Sequence, residues 1–215
     1  MPVTYRQIAG VSMERLAALS DGIFAVAMTL LVLGLSVQSA SALHLSPSPT
    51  NSQVWEHVLR PLWRHVLVYL MSFLTLGVFW VGQQTQFYHL RRSNRDYTWI
   101  QLVFLLCVVL MPFSTTLVAD YITAELAIVV YWLNIALLGG ILYVGQRYAQ
   151  RARLLKDHVT AATIAAMERR IIVYQALYAV GALLSLASTY ASIGFIIAVQ
   201  LNAAIAPRFW ILDRF

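Results

Sequence analysis

Long apolar runs recur along this chain, and they constrain its fold more than any other feature. Each run is roughly 20 residues long, the length that a helix needs to cross a hydrocarbon core of about 30 Å. The chain is 60% hydrophobic and 11% charged, whereas soluble domains carry about 25% charged residues. We therefore expect an all-α, polytopic membrane protein with six transmembrane helices, at Leu16–Val37, Leu62–Gln86, Tyr97–Val118, Glu125–Gln146, Ile171–Ser188 and Ile193–Ile211.

The chain shows no sign of a second domain. The Ser/Pro-rich segment QSASALHLSPSPTNSQ, between the first two runs, is its one low-complexity stretch and is predicted to be a polar loop. No repeat and no soluble domain is visible, and the first apolar run lacks the layout of a cleavable signal. Residues 1–215 are thus predicted to form a single six-helix transmembrane domain.

The basic residues fall almost entirely on one side of the predicted topology. Because Lys and Arg concentrate in cytoplasmic loops, this bias places both termini in the cytoplasm and the helices in the cell (plasma or inner) membrane. The net charge of +6 then needs no nucleic-acid partner, and none is expected. The residues on the cytoplasmic side are Arg6, Arg15, Arg91, Arg92, Arg95, Arg147, Arg151, Arg153, Lys156, Arg169, Arg170, Arg208 and Arg214, against Arg60 and Arg64 on the other.

Asp21 lies inside a predicted span, whereas the other acidic residues fall at span ends or in loops. An ionised Asp costs about 2.5–3.5 kcal/mol at the centre of a membrane helix and less near its ends. One interpretation is that Asp21 only caps the start of the helix, as Ser and Asp often do. The interpretation that we favour is a polar cluster within the membrane, to which Arg15 and Ser20 are the local donors.

A stripe of small and aliphatic side chains follows Asp21. Gly22, Val26, Thr29, Leu33 and Val37 are spaced by four, three, four and four residues, which places them on one helix face. Such a face is typical of helix–helix packing through small residues. From this helix alone packing is the interpretation that we favour, and the alternative is a pore wall whose aliphatic rings form a constriction that gates by dewetting. The spacing does not separate these two interpretations.

Two later spans also end in polar residues. Trp80, Gln83, Gln84 and Gln86 form a cluster at the end of the second span, where amides can hydrogen-bond between helices. In the third span, Pro112 predicts a kink or a helix end, with neighbouring hydroxyls satisfying backbone carbonyls.

Patterns for catalysis or metal binding are missing from the sequence. The five histidines are scattered without metal-ligand spacing, the single cysteine, Cys107, lies in an apolar run, and no nucleophile motif, phosphate-binding loop or carboxylate pair appears. We expect neither an enzyme nor a bound cofactor or metal. A secondary transporter or proton-leak protein is the alternative function, although a proton relay would place ionisable groups deeper in the bundle.

Four short motifs carry a resemblance to a known family. RLAALSDGIFAVAMTLLVL, from Arg15 to Leu33, resembles the first helix of the potassium-channel family named for lysosomal transmembrane protein 175, whose signature is Arg, three residues and then Phe-Ser-Asp. Further matches follow in order: FW before a polar pair at Phe79–Gln84, NRD at Asn94–Asp96 and PFST at Pro112–Thr115. The motifs cover roughly the first 120 residues, and four in order make the match specific.

The resemblance implies a channel that is permeable to potassium ions. Single-repeat prokaryotic members of that family form homotetramers, so the partners implied are copies of this chain, membrane lipid and potassium ions. In that family the first helices of the subunits surround the pore, and ions pass a hydrophobic constriction instead of a carbonyl filter. The implied constriction residues are Val26, Thr29 and Leu33, the other pore-lining residues are Gly22 and Val37, and the structural polar network consists of Arg15, Ser20, Asp21, Trp80 and Gln84.

Three departures from the family pattern affect these expectations. Leu19 replaces the signature Phe and removes an aromatic packing element. Val26 is shorter than the Ile or Leu common at the constriction, which implies a wider ring. Gln83 and Gln84 stand where relatives often carry His, and an amide does not titrate as an imidazole does.

Overall fold

Six helices make up the described part of the protein. The computed structural model describes residues 12–35 and 50–205. Within them no strand forms, and the only β-type contact is an isolated bridge between Leu90 and Leu155. The helices are α1 (Met13–Leu33), α2 (Asn51–His89, with a π-helical stretch at Trp55–Leu59), α3 (Arg95–Asp120), α4 (Glu125–Arg151), α5 (Ala161–Leu184) and α6 (Thr189–Ile205).

The structure confirms an all-α protein, with a difference in the last two helices. In the described ranges, α1 to α4 are long and apolar enough to cross a membrane. The first half of α5 carries Glu168, Arg169 and Arg170, which lowers its hydropathy, and α6 has only 17 residues before the described part ends. The chain is a multi-pass membrane protein built on at least four such helices.

Side-chain caps fix where several helices begin. Ser12 caps α1 by accepting a hydrogen bond from the amide of Arg15. Asp21 is therefore the ninth residue of α1, and its interpretation as a helix cap is wrong. Thr50 forms a capping box with Gln53, so α2 begins eleven residues before the predicted Leu62. Thr160 caps α5, which begins ten residues before the predicted Ile171.

Proline breaks α3 in its second half. The α-helical pattern ends at Val109 and resumes at Met111, with Leu110 between. Pro112 has no N–H to donate to the carbonyl four residues earlier, and its ring crowds that turn. The predicted kink or helix end is therefore present as an interruption of the helical pattern at Leu110. Hydroxyls beyond it bond to backbone carbonyls, Ser114 and Thr115 to that of Met111 and Thr116 to that of Pro112.

The second helix is the centre of the bundle. It packs against α1, α3, α4 and α6, while α5 packs between α4 and α6. Where α1, α2 and α3 meet, the ring of Phe104 lies 6.1 Å from that of Phe24 and 6.4 Å from that of Phe79. This aromatic contact fixes the buried side of α1, and with it the side that points away from the other helices.

Candidate functional site

The first helix has two unlike faces. Leu16, Ser20, Phe24, Ala27 and Leu31 are buried against α2 and α3. The opposite face is exposed, with 57% of Val26 and 70% of Leu33 accessible. Because a helix turns by about 100° per residue, the exposed stripe falls within an arc of about 60°; its members are Gly22, Val26, Thr29 and Leu33.

The stripe is smooth and almost wholly apolar. A Cβ atom added at Gly22 would meet nothing within 4 Å, so the space in front of Gly22 is open. The Thr29 hydroxyl donates to the carbonyl of Val26 at 2.8 Å, so only the acceptor lone pairs of its oxygen remain for other partners. The fifth predicted member, Val37, lies outside the described residues.

Two donors from α2 hold Asp21. The indole Nε1 of Trp80 and the amide Nε2 of Gln84 each donate to Oδ1 of Asp21, at 2.8 Å in both cases. Trp80 and Gln84 are four residues apart, so they project from the same face of α2. Hydrogen bonds to an ionised acceptor are about twice as strong as neutral ones. The carboxylate thus links α1 to α2 beside the exposed stripe.

A second contact lies one residue before Asp21 on α1 and one residue before Gln84 on α2. The Ser20 hydroxyl donates to Oε1 of Gln83, and Nε2 of Gln83 donates to Oε1 of Gln101 on α3 at 2.8 Å. All three side chains are buried. Buried polar groups are costly unless they are paired. These two hydrogen bonds therefore fix α1, α2 and α3 in one relative rotation.

Four of the five predicted network residues lie in these contacts. The exception is Arg15, whose exposed side chain has no hydrogen-bond or ion-pair partner within residues 12–35 and 50–205. Leu19, at the position of the signature Phe, is 45% exposed beside the stripe. Sequence reasoning missed Gln101, although a glutamine within an apolar run is itself a signal of interhelical bonding.

The comparisons with known proteins concern this same part of the chain. Residues 15–112 match the family described as endosomal/lysosomal potassium channel TMEM175. A potassium channel of Chamaesiphon minutus is 30% identical over 193 residues, which are 86% of this chain and 91% of that relative. The chain belongs to the TMEM175 family.

Other relatives match over shorter stretches. A potassium channel of Streptomyces collinus is 32% identical over 53% of this chain, and one of a Chryseobacterium species is 31% identical over 47%, so the match spans about half the length of these two. The crystal structure of a lysosomal potassium-selective channel TMEM175 homolog from Chamaesiphon minutus superposes with a TM-score of 0.77 at 25% identity, over 92% of this chain and 98% of that one.

The TMEM175 match covers α1, α2 and α3 up to Pro112, which includes every contact of Ser20 and Asp21 described above. Its NRD motif has a structural explanation. Asn94 caps α3 by accepting from the amide of Tyr97 and donates to the hydroxyl of Tyr148, which in turn donates to Asp96. The motif therefore anchors the start of α3 on the end of α4.

A second buried polar network lies deeper in the bundle and mostly beyond the family match. The hydroxyl of Tyr131 is 2.8 Å from that of Thr75 and accepts from Ser72. The hydroxyl of Thr115 lies 2.7 Å from that of Ser72, and Gln200 donates to Thr75. These residues come from α2, α3, α4 and α6, and all are buried. Sequence analysis missed this network, since each member looks like a lone polar residue in an apolar run.

No metal site is found in the described part of the chain. None of its His, Cys, Asp and Glu side chains come together in a group of three or more that could hold an ion. The candidate functional site therefore consists of the exposed α1 stripe and the two polar contacts that hold α1 against α2 and α3.

Proposed function

We propose that this protein is a potassium-permeable cation channel of the cell membrane, with both termini in the cytoplasm. Four subunits assemble with their α1 helices around a central pore, and Gly22, Val26, Thr29 and Leu33 face the axis. Support comes from the family, since the three relatives described above are named potassium channels, and from the geometry of α1.

The exposed α1 stripe is the observation that carries the proposal. The subunit's own helices cover the opposite side of α1 and leave this one open. A rise of 1.5 Å per residue puts the Thr29 ring about 4.5 Å from the Val26 ring, and the Leu33 ring about 6 Å further. Two aliphatic rings with one hydroxyl ring between them form a short apolar constriction that can gate by dewetting.

The polar contacts determine which face of α1 reaches the pore axis. Asp21 lies about 140° around the helix from Val26, on the flank next to α2. Both of its donors come from the same subunit, so its charge is stabilised without any permeating ion. Asp21 therefore acts by orienting α1, and Ser20 adds a buried contact on the same side.

Potassium flux into liposomes with reconstituted protein tests the assignment. Val26→Ala widens the ring and is expected to raise the flux several-fold, whereas Val26→Trp is expected to block it. Val180→Trp is the matched control, because Val180 is an exposed valine on α5, which packs on α4 and α6. Unchanged flux in both Val26 variants would exclude the constriction, and saturable, counter-ion-coupled flux would identify a transporter.

A further inference from the structure

A cavity opens on the side of the bundle away from α1. It is an open, elongated depression between α2, α4 and α5. Its wall is mostly aliphatic and aromatic, and includes Val78, Phe79, Leu142, Ile171 and Tyr174.

The length of the cavity matches one leaflet of a bilayer. Its lining on α5 runs from Met167 to Tyr178, a rise of about 16 Å at 1.5 Å per residue. Half of a hydrocarbon core of about 30 Å is close to this value. An apolar slot of that length is suited to a single acyl chain.

One cationic side chain lies at the end of the slot, on the side of the bundle that carries most of the arginines. Arg170 lines the cavity, and its guanidinium carbon lies 5.8 Å from the centroid of the Tyr174 ring. Within the described residues it has no acidic partner, whereas nearby Arg147 is paired with Glu168 at 3.3 Å. An unpaired guanidinium at the mouth of an apolar slot is complementary to a phosphate.

We propose that this cavity binds an anionic phospholipid, with one acyl chain along α5 and the headgroup phosphate on Arg170. A second copy of this chain is a poorer occupant, because the protein has 9 acidic against 15 basic residues. Of the acidic side chains near this end, Glu168 and Asp157 already pair with arginines of their own subunit. Anionic lipid is the abundant source of negative charge at a membrane surface.

Lipid retention by the purified protein tests the headgroup contact. Native mass spectrometry after mixing with phosphatidylglycerol or phosphatidylcholine counts the lipids that each subunit keeps. Arg170→Gln is expected to lower phosphatidylglycerol retention about fivefold, as about 1 kcal/mol per surface cation implies, and to leave phosphatidylcholine unchanged. Arg151→Gln is the control, since Arg151 is at the same end, in the last turn of α4, and does not line the cavity.

A steric variant tests the acyl-chain slot separately. Gly82 lines the cavity, so Gly82→Leu is expected to reduce retention of both lipids, while Gly77→Leu on the same helix faces open space and should not. Wild-type retention in both Arg170→Gln and Gly82→Leu would overturn the proposal. So would a Gly82→Leu variant whose oligomer dissociates with its lipid count unchanged, since a second copy would then cover the cavity. The readout is lipid mass, so it is independent of ion flux.

Discussion

The strength of the bond between Asp21 and Trp80 can be measured, and it decides how firmly α1 is held. The indole N–H of Trp80 is one of two donors to Oδ1 of Asp21, each at 2.8 Å. Trp80→Phe removes that N–H and keeps an aromatic ring. Asp21→Ala removes the acceptor, and Asp21→Asn keeps an acceptor oxygen without the charge.

The geometry sets the expected magnitudes. A hydrogen bond to a charged group contributes about 1.5–3 kcal/mol, and 39% exposure of Trp80 in the subunit points to the lower end. We expect Trp80→Phe to lower the free energy of unfolding by about 1.5 kcal/mol and Asp21→Ala by about 3, since it removes two such bonds. Asp21→Asn should cost about half as much as Asp21→Ala, because neutral bonds are about half as strong.

A double-mutant cycle isolates the bond itself. Equilibrium unfolding in mixed micelles would be measured for wild type, Trp80→Phe, Asp21→Ala and the double variant. A coupling energy of about 1.5 kcal/mol is expected. Trp99→Phe is the control, since Trp99 is 58% exposed and its N–H has no partner in the part of the chain described. A coupling energy below about 0.5 kcal/mol, the additivity limit of unconnected sites, would refute the reasoning.

Two further predictions concern packing and the buried network. Gly181→Ala places a Cβ 2.8 Å from Cγ1 of Ile196 and should destabilise the α5–α6 contact by about 1–3 kcal/mol. The control is Gly77→Ala, whose Cβ meets nothing within 4 Å and which should be neutral or stabilising in the same unfolding assay. Tyr131→Phe removes the hydroxyl that bonds Ser72 and Thr75 and should lower the free energy of unfolding by about 1–3 kcal/mol. A decrease below about 0.5 kcal/mol in both Tyr131→Phe and Ser72→Ala would contradict the assigned network.

Local signals in the sequence predicted the architecture well and the helix ends less well. Apolar run length and the family motifs gave the six helices and the family, and both are confirmed. Run length cannot show a polar first turn, so the capped starts of α2 at Asn51 and α5 at Ala161 were missed. Asp21 resembled a cap only because the true cap, Ser12, lies before the apolar run.

The partners of neighbouring polar residues depend on helix rotation, which the sequence does not give. Gln83 and Gln84 are adjacent, yet about 100° of rotation separates them. Gln84 reaches Asp21, while Gln83 lies between Ser20 and Gln101. The residue types predict a polar cluster at the end of the span. Its division into two separate contacts depends on how α1, α2 and α3 pack together.

The buried network around Tyr131 could not be predicted from the sequence, for a related reason. Thr75 and Gln200 are 125 positions apart and meet only because α6 packs back on α2. Polar residues inside apolar runs do indicate that partners exist. Which partners they are follows from the order in which the helices pack, and no local pattern encodes that order.

The bi-ionic reversal potential of the purified protein tests the central claim most directly. In a planar bilayer with potassium on one side and sodium on the other, a channel whose pore is lined by α1 should give unitary currents. Their reversal potential should shift toward the potassium equilibrium potential, and Val26→Trp should abolish them. Absence of unitary currents from correctly assembled wild-type protein, or wild-type currents in Val26→Trp, would contradict the account.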